Sequence, residues 1–225
     1  MYKVGLIRVL TASDEDLLNE HGKIIENVFK DIKVESRCIE DQYEGIHDEE
    51  TELIAVPKII NLAQKYFSKK DAIIISCAGD PALKELREVM DIPIIGAGES
   101  AALLSQIYGE KFGIVGITEK VPKSYEKILE GKMVGDTHIQ GIISTNDLAK
   151  EDGYEKVLDH CKKLKNLGAE VLTFACTGLS TNKFAPLIER DLPLPVVDCV
   201  YAEAVFTYAS LIKKNFYKNR RKKCY

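Results

Sequence analysis

The sequence predicts an α/β protein made of two pseudo-symmetric, doubly wound parallel-sheet lobes, with the active site in the cleft between them. Three observations carry this expectation. Short, near-continuous apolar runs alternate with helix-length amphipathic stretches, the pattern of parallel strands covered on both faces. The pattern restarts near residue 110, where FGIVGI (112–117) echoes the run at Val4–Val9. DAIIISCAGDPALKEL (71–86) also has a counterpart in AEVLTFACTGLSTNKFAPL (169–187), each an apolar run ending in a cysteine with a glycine two residues on. The first lobe is expected over 1–100 together with a C-terminal helix at about 205–225, and the second over 101–204. A single doubly wound domain with a coincidental echo is the alternative.

Taken in order, Val4–Val9 reads as a strand. A helix follows at Asp14–Phe29, with Ser13 as N-cap and Leu17, Leu18, Ile24, Ile25, Val28 and Phe29 on one face. Val34–Ile39 is a second strand, and Glu49–Phe67 a helix that Pro57 kinks or restarts. Ala72–Ser76 and Pro93–Gly96 are short buried strands around a helix at Pro81–Met90, and Glu99–Ile107 is helical. In the second half, Phe112–Ile117, Thr137–Ile143, Val171–Ala175 and Pro195–Val197 are expected as strands. Helices are expected at Val121–Glu130, from about Glu151 to Leu167, and from near Tyr201 onward.

A hydrophobic fraction of 45% with 29% charged residues fits a globular chain, and no run approaches the roughly 20 apolar residues that span a bilayer. MYKVGLIRVL reads as a strand and not as a secretory signal, so a cytoplasmic location with reduced cysteines is expected. Seven of the last thirteen residues are Lys or Arg against a net charge of −4, so the rest of the chain carries −11. An acidic body argues against nucleic-acid binding, and the basic tail reads as a solvated helix end. Cys224 is next to last, which does not match a prenylation box. The six cysteines contain no C-x-x-C pair, and His21, His47, His138 and His160 show no ligand spacing, so no metal is expected. Gly96-Ala97-Gly98 lacks the third glycine of a dinucleotide fingerprint, and no Walker box exists.

The chemistry is expected at Cys77 and Cys176. Both fall at strand ends, where open parallel sheets bind ligands and where the N–H groups of a following helix favour a thiolate. A lone cysteine is most simply a small buried apolar residue, and Cys38, Cys161, Cys199 and Cys224 keep that reading. Two cysteines at matching points of facing lobes suit racemisation. A thiolate on one face of a carbon removes a proton while a thiol on the other delivers one, with no metal or organic cofactor. The developing enolate needs donors. The backbone around Ala78-Gly79 and Thr177-Gly178 and the Thr177 hydroxyl are the candidates, the glycines permitting close approach of a ligand. Asp80, before Pro81, reads as a helix N-cap or as a group that orients the cleft. Thr118 ends the strand that mirrors the first and reads as a substrate contact or a cap.

Cys77-Ala78-Gly79-Asp80-Pro81, then Ile92-Pro93-Ile94-Ile95-Gly96 and Glu99-Ser100-Ala101, resembles the first-cysteine region of hydantoin racemases, within the aspartate/glutamate racemase superfamily. Ala175-Cys176-Thr177-Gly178 with Pro195-Val196-Val197-Asp198 resembles the second-cysteine region, so the resemblance covers nearly the whole chain. It implies two α/β lobes around a cleft, two-cysteine cofactor-independent racemisation of a small molecule, and commonly an oligomer of identical chains. Hydantoin racemases follow their first strand with Asn-Pro-Asn-Thr, which contacts substrate. This chain has Arg8-Val9-Leu10-Thr11, where only Thr11 matches. Arg8 suits an anionic substrate through bidentate carboxylate binding, or a structural ion pair. The aspartate/glutamate branch has Cys-Asn-Thr at the first cysteine, against Cys77-Ala78-Gly79 here. Arylmalonate decarboxylases keep only the second cysteine, whereas maleate isomerases keep both, so amino-acid racemase and maleate-isomerase activities stay open. A non-catalytic binding protein on the same fold is the rival from another class.

Overall fold

In the computed structural model, which describes residues 1–221, two four-stranded parallel sheets have the same topology. The first contains β1 (Tyr2–Arg8), β2 (Ile32–Cys38), β3 (Ala72–Ile75) and β4 (Ile94–Gly96), in the spatial order β2-β1-β3-β4. The second contains β5 (Phe112–Val115), β6 (Met133–Val134), β7 (Val171–Phe174) and β8 (Val196–Val197), ordered β6-β5-β7-β8. Cys77 follows β3 and Cys176 follows β7, so both leave the third strand of their sheet in spatial order.

Side-chain alternation along the strands explains how each sheet is covered. Ile7, Ile73 and Ile75 face a core that includes Ala55, Ile59 and Leu62 of α2 (Glu49–Leu62), Phe67 of the π-helical turn Ala63–Phe67 that continues it, and Leu86 of α3 (Leu83–Val89). Val4, Leu6, Ala72 and Ile74 face the other way, against Ile25 of α1 (Glu15–Val28) and Ala204 and Leu211 of α10 (Cys199–Arg221). All four residues of β3 are buried, each isoleucine contributing about 1.5–3 kcal/mol of burial. The core around the second sheet takes in Ala97, Ala101, Ala102 and Leu104 of α4 (Ala97–Ser105), together with Cys199 and Ala202 at the start of α10. The final helix thus begins against one sheet and runs on across the other.

Several boundaries differ from the sequence reading. Asp14, and not Ser13, caps α1, accepting from the N–H groups of Asp16 and Leu17. The buried stripe of α1 runs through His21, Gly22 and Ile25, while Leu17 and Val28 are exposed. Pro57 lies within α2. The strand expected over Thr137–Ile143 does not form. Pairing with β5 is made by β6, and the expected segment contributes one bridge, Gly116 to His138. The remaining helices are α5 (Lys123–Ile128), α6 (Thr145–Leu148), α7 (Gly153–Asn166), α8 (Thr177–Thr181) and α9 (Phe184–Asp191). Among the described residues, no helix is long and apolar enough to cross a membrane. Cys224 and the end of the basic tail lie outside the described residues.

Candidate active site

The turn after β3 is built around left-handed backbone at two non-glycine positions, Asp80 (φ 53°) and Ala82 (φ 60°). Such conformations are uncommon for L-residues and persist only where the surroundings hold them. At Asp80 those surroundings are hydrogen bonds. Its Oδ1 accepts from the Gly98 N–H at 2.9 Å and its Oδ2 from the Glu99 N–H at 2.6 Å, while the Ser124 hydroxyl donates to the same Oδ2. Asp80 therefore caps α4 and grips α5 of the second sheet's side, in place of the helix that follows it in sequence. Gly98 is required here, because a Cβ would lie 2.1 Å from the Ala78 carbonyl oxygen. The matching turn in the second half also carries a left-handed residue before its helix, Lys183 (φ 56°) ahead of α9.

Cys77 is partly exposed and Cys176 is buried. Burial pushes the Cys77 thiol up to about 12, against a lowering influence from the Gly79 N–H. It pushes Cys176 up to about 11, against the N–H groups of Gly178 and Leu179. The expectation that helix starts favour these thiolates is thus reversed. The N–H groups do act in the expected direction, but loss of water outweighs them. The charge of Cys176 is also among those that raise Cys77.

The other candidate residues fall into two groups. Thr177 is partly exposed, and its hydroxyl makes no hydrogen bond to any described residue. Gly79 lies open beside the sulfur, with a Cβ built there 3.7 Å from Cys77 Sγ. Ala78 is buried in the core of the second sheet. The closeness that Gly178 permits is to Thr145 and Leu148, not to a ligand, as a Cβ there would meet Thr145 Cγ2 at 2.9 Å. Thr11 is committed within the first lobe, donating to the Ile39 carbonyl at 2.7 Å and accepting from the Gln42 N–H at 2.7 Å. Thr118 donates to the Lys120 carbonyl at 2.9 Å. Arg8 is buried, donates Nη1 to the Leu17 carbonyl at 2.6 Å and makes no ion pair with a described carboxylate. Burial lowers its pKa, opposed by nearby Cys38, Glu203, Glu20 and Cys77.

Beside Arg8 lies a polar chain that the sequence reading missed. Ser76 donates to Glu203 Oε1 at 2.7 Å, His21 Nδ1 meets Ser76 Oγ at 2.8 Å, and His21 Nε2 meets Thr181 Oγ1 at 3.0 Å. His21, Ser76 and Glu203 are fully or almost fully buried. Burial drives Glu203 well above the usual carboxylate range and His21 well below its ordinary value, so His21 is neutral near pH 7. Two signals pointed here: Glu203 is the one acid in the apolar run CVYAEAVFTYASLI, and His21 occupies the buried stripe of α1.

Two parallel sheets of one topology, each with a cysteine just after the corresponding strand, define a two-lobed α/β protein of the racemase class. The sequence profile described as Asp/Glu/Hydantoin racemase matches residues 24–207, and the chain belongs to that family, an isomerase family of racemases. It is 29% identical over 173 residues to a hydantoin racemase of Pseudomonas sp. (strain NS671), the match covering 72% of this chain and 68% of the relative. Its fold is similar to that of an allantoin racemase from Klebsiella pneumoniae, with a TM-score of 0.79 at 22% identity, covering 96% of this chain and 89% of the other. An allantoin racemase from Pseudomonas fluorescens is similar with a TM-score of 0.76 at 18% identity, covering 95% and 92%.

Proposed function

We propose that the protein is a cofactor-independent racemase or epimerase of the hydantoin-racemase type, in which Cys77 and Cys176 exchange protons with opposite faces of a carbon next to a carbonyl. The observation that carries this reading is the equivalence of the two thiols: each follows the corresponding strand of a repeated sheet, and the charge of Cys176 is among those that raise Cys77. Racemisation needs acid/base groups of similar strength on the two faces, because each serves as base in one direction and as acid in the other. Values of about 12 and about 11 meet that requirement. At pH 7 a thiol of pKa about 11 is ionised in about one molecule in 10⁴, an unfavourable term of about 5.5 kcal/mol. The thiolate so formed is a stronger base toward a weakly acidic carbon than an ordinary cysteine thiolate. The Thr177 hydroxyl stands beside Cys176 in sequence with no hydrogen-bond partner among the described residues, which supports it as a donor to the enolate oxygen. Arg8 supports an anionic group on the substrate, since a buried guanidinium with no ion pair to a described carboxylate would be stabilised by an anion.

Hydantoins, allantoin, amino acids and other α-substituted carbonyl acids form the test panel. Each pure enantiomer is incubated in deuterated buffer, and loss of the α-proton signal is followed by NMR. Exchange with inversion of at least one compound is expected. Tight binding of a panel member with no exchange of any would replace the enzyme by a binding protein. The same reading carries a cytoplasmic location and an assembly of identical chains, the latter measured directly by light scattering.

A further inference from the structure

The polar chain behind Cys77 joins the two halves of the site through one side chain. Ser76 immediately precedes Cys77, and strand alternation turns its hydroxyl to the α1/α10 side of the first sheet. Thr181 ends α8, the helix that starts directly after Cys176. His21 on α1 contacts both hydroxyls, at 2.8 Å and 3.0 Å. We propose that His21 is a positioning residue that sets the spacing of the two thiols, by tying the strand end that carries Cys77 to the helix that follows Cys176. The proposal rests on the two-thiol reading above.

Hydrogen-bond bookkeeping assigns the direction of the chain. The Ser76 proton is given to Glu203, so Ser76 accepts from His21 and Nδ1 carries the imidazole proton. Nε2 is then an acceptor, and Thr181 donates to it at 3.0 Å in preference to the Thr177 carbonyl at 3.3 Å. The neutral imidazole that this requires is the form that burial and the neighbouring Arg8 favour. Each link is buried or partly buried, so breaking one leaves a desolvated group without a partner. The tie is therefore stiff on the scale that matters for proton transfer, where about 1 Å of misplacement is worth about 10²-fold in rate.

Two variants cut the link to the second lobe and spare the first. His21→Asn places an amide near the Nδ1 position, within reach of Ser76 but short of Thr181; Thr181→Val removes only the hydroxyl. Inversion needs both thiols correctly spaced, whereas exchange of the α-proton with retention needs only one. Both variants should stay folded by circular dichroism, keep KM within about threefold, and lose about 10–100-fold in kcat for racemisation. Exchange with retention should fall by less than about threefold, so the ratio of exchange to inversion rises at least about tenfold. A role confined to stability predicts both rates falling in proportion, and that result overturns the proposal, as does an unchanged ratio. A second readout needs no substrate. Bifunctional methanethiosulfonates of graded spacer length are applied to each protein, and the bridged Cys77–Cys176 peptide is quantified by mass spectrometry. The wild type should select one spacer length and the variants should lose that selectivity; identical patterns in all three proteins contradict the tie. A wild type that exchanges no panel compound while its spacer selectivity still depends on His21 removes the racemase reading and leaves the tie in place.

Discussion

Asp80 and Ser124 meet across the two halves of the protein, the hydroxyl donating to the carboxylate that also caps α4. A strained turn beside Cys77 is thereby anchored on both sides at once. Removing the carboxylate should leave two helix N–H groups and a hydroxyl without their acceptor. Asp80→Ala is expected to lower stability by roughly 3 kcal/mol or more, from about 1–3 kcal/mol for each group left unpaired. Asp80→Asn keeps one acceptor and tolerates left-handed backbone, so it should lose less than half of that. Urea unfolding of the two variants makes the comparison, and equal losses would deny the capping role.

The raised thiols predict a distinctive rate profile. In the proposed reaction the base is a thiolate whose pKa burial holds at about 11 or about 12. The second-order constant kcat/KM should therefore climb by about tenfold per pH unit from pH 7 to 9.5. An ordinary cysteine base levels off near its free pKa of ~8.5. A plateau near that value would show that the thiols are not held up by burial in the working enzyme.

His21 should make the fold sensitive to acid. Its folded pKa lies well below the ordinary 6.5, so below that pH the unfolded chain takes up a proton that the folded one resists. The stabilisation is fully present above pH 6.5 and is lost as pH falls toward the folded value. Between pH 7 and 5.5 the wild type should lose on the order of 1 kcal/mol more than His21→Asn. Parallel urea profiles for the two proteins would show that His21 titrates normally.

Glu203 has the opposite sign. Burial raises its folded pKa well above 4.5, so folding favours the protonated acid, and that contribution fades as pH rises toward the folded value. Glu203→Gln cannot ionise and retains an acceptor for Ser76. Its stability relative to wild type should increase steadily from pH 5 to 8 in thermal or urea melts. A difference independent of pH would mean that Glu203 is already ionised in the folded protein.

The sequence exposed the architecture because each sheet is written twice: the apolar runs ending at Cys77 and Cys176 repeat one pattern, and covered parallel strands admit few polar interruptions. The same repeat singles out Cys77 and Cys176 as candidates. What was not legible lies between distant segments. Asp80 looks like the cap of the helix beginning beside it, yet it caps α4 eighteen residues away, because left-handed backbone at Asp80 and Ala82 turns the carboxylate outward. Thr137–Ile143 has a strand's composition, but pairing with β5 is taken by Met133–Val134. The His21–Ser76–Glu203 chain joins three elements far apart in sequence, so its members look like isolated polar residues on apolar faces. The charge state of the thiols also depends on a net balance between helix N–H groups and burial that strand position alone does not reveal.

The central claim is that Cys77 and Cys176 act on opposite faces of one carbon, and single-cysteine variants test it most directly. Each pure enantiomer of a substrate is incubated with Cys77→Ala or Cys176→Ala in deuterated buffer and followed by NMR and chiral chromatography. Both variants should lose racemisation, yet Cys77→Ala should exchange the α-proton of one enantiomer with retention and Cys176→Ala that of the other. Loss of one general acid or base typically lowers rates by about 10²–10⁴-fold, so the residual exchange is slow but one-sided. Racemisation at the wild-type rate in either variant, or the same preferred enantiomer in both, would contradict the two-thiol account.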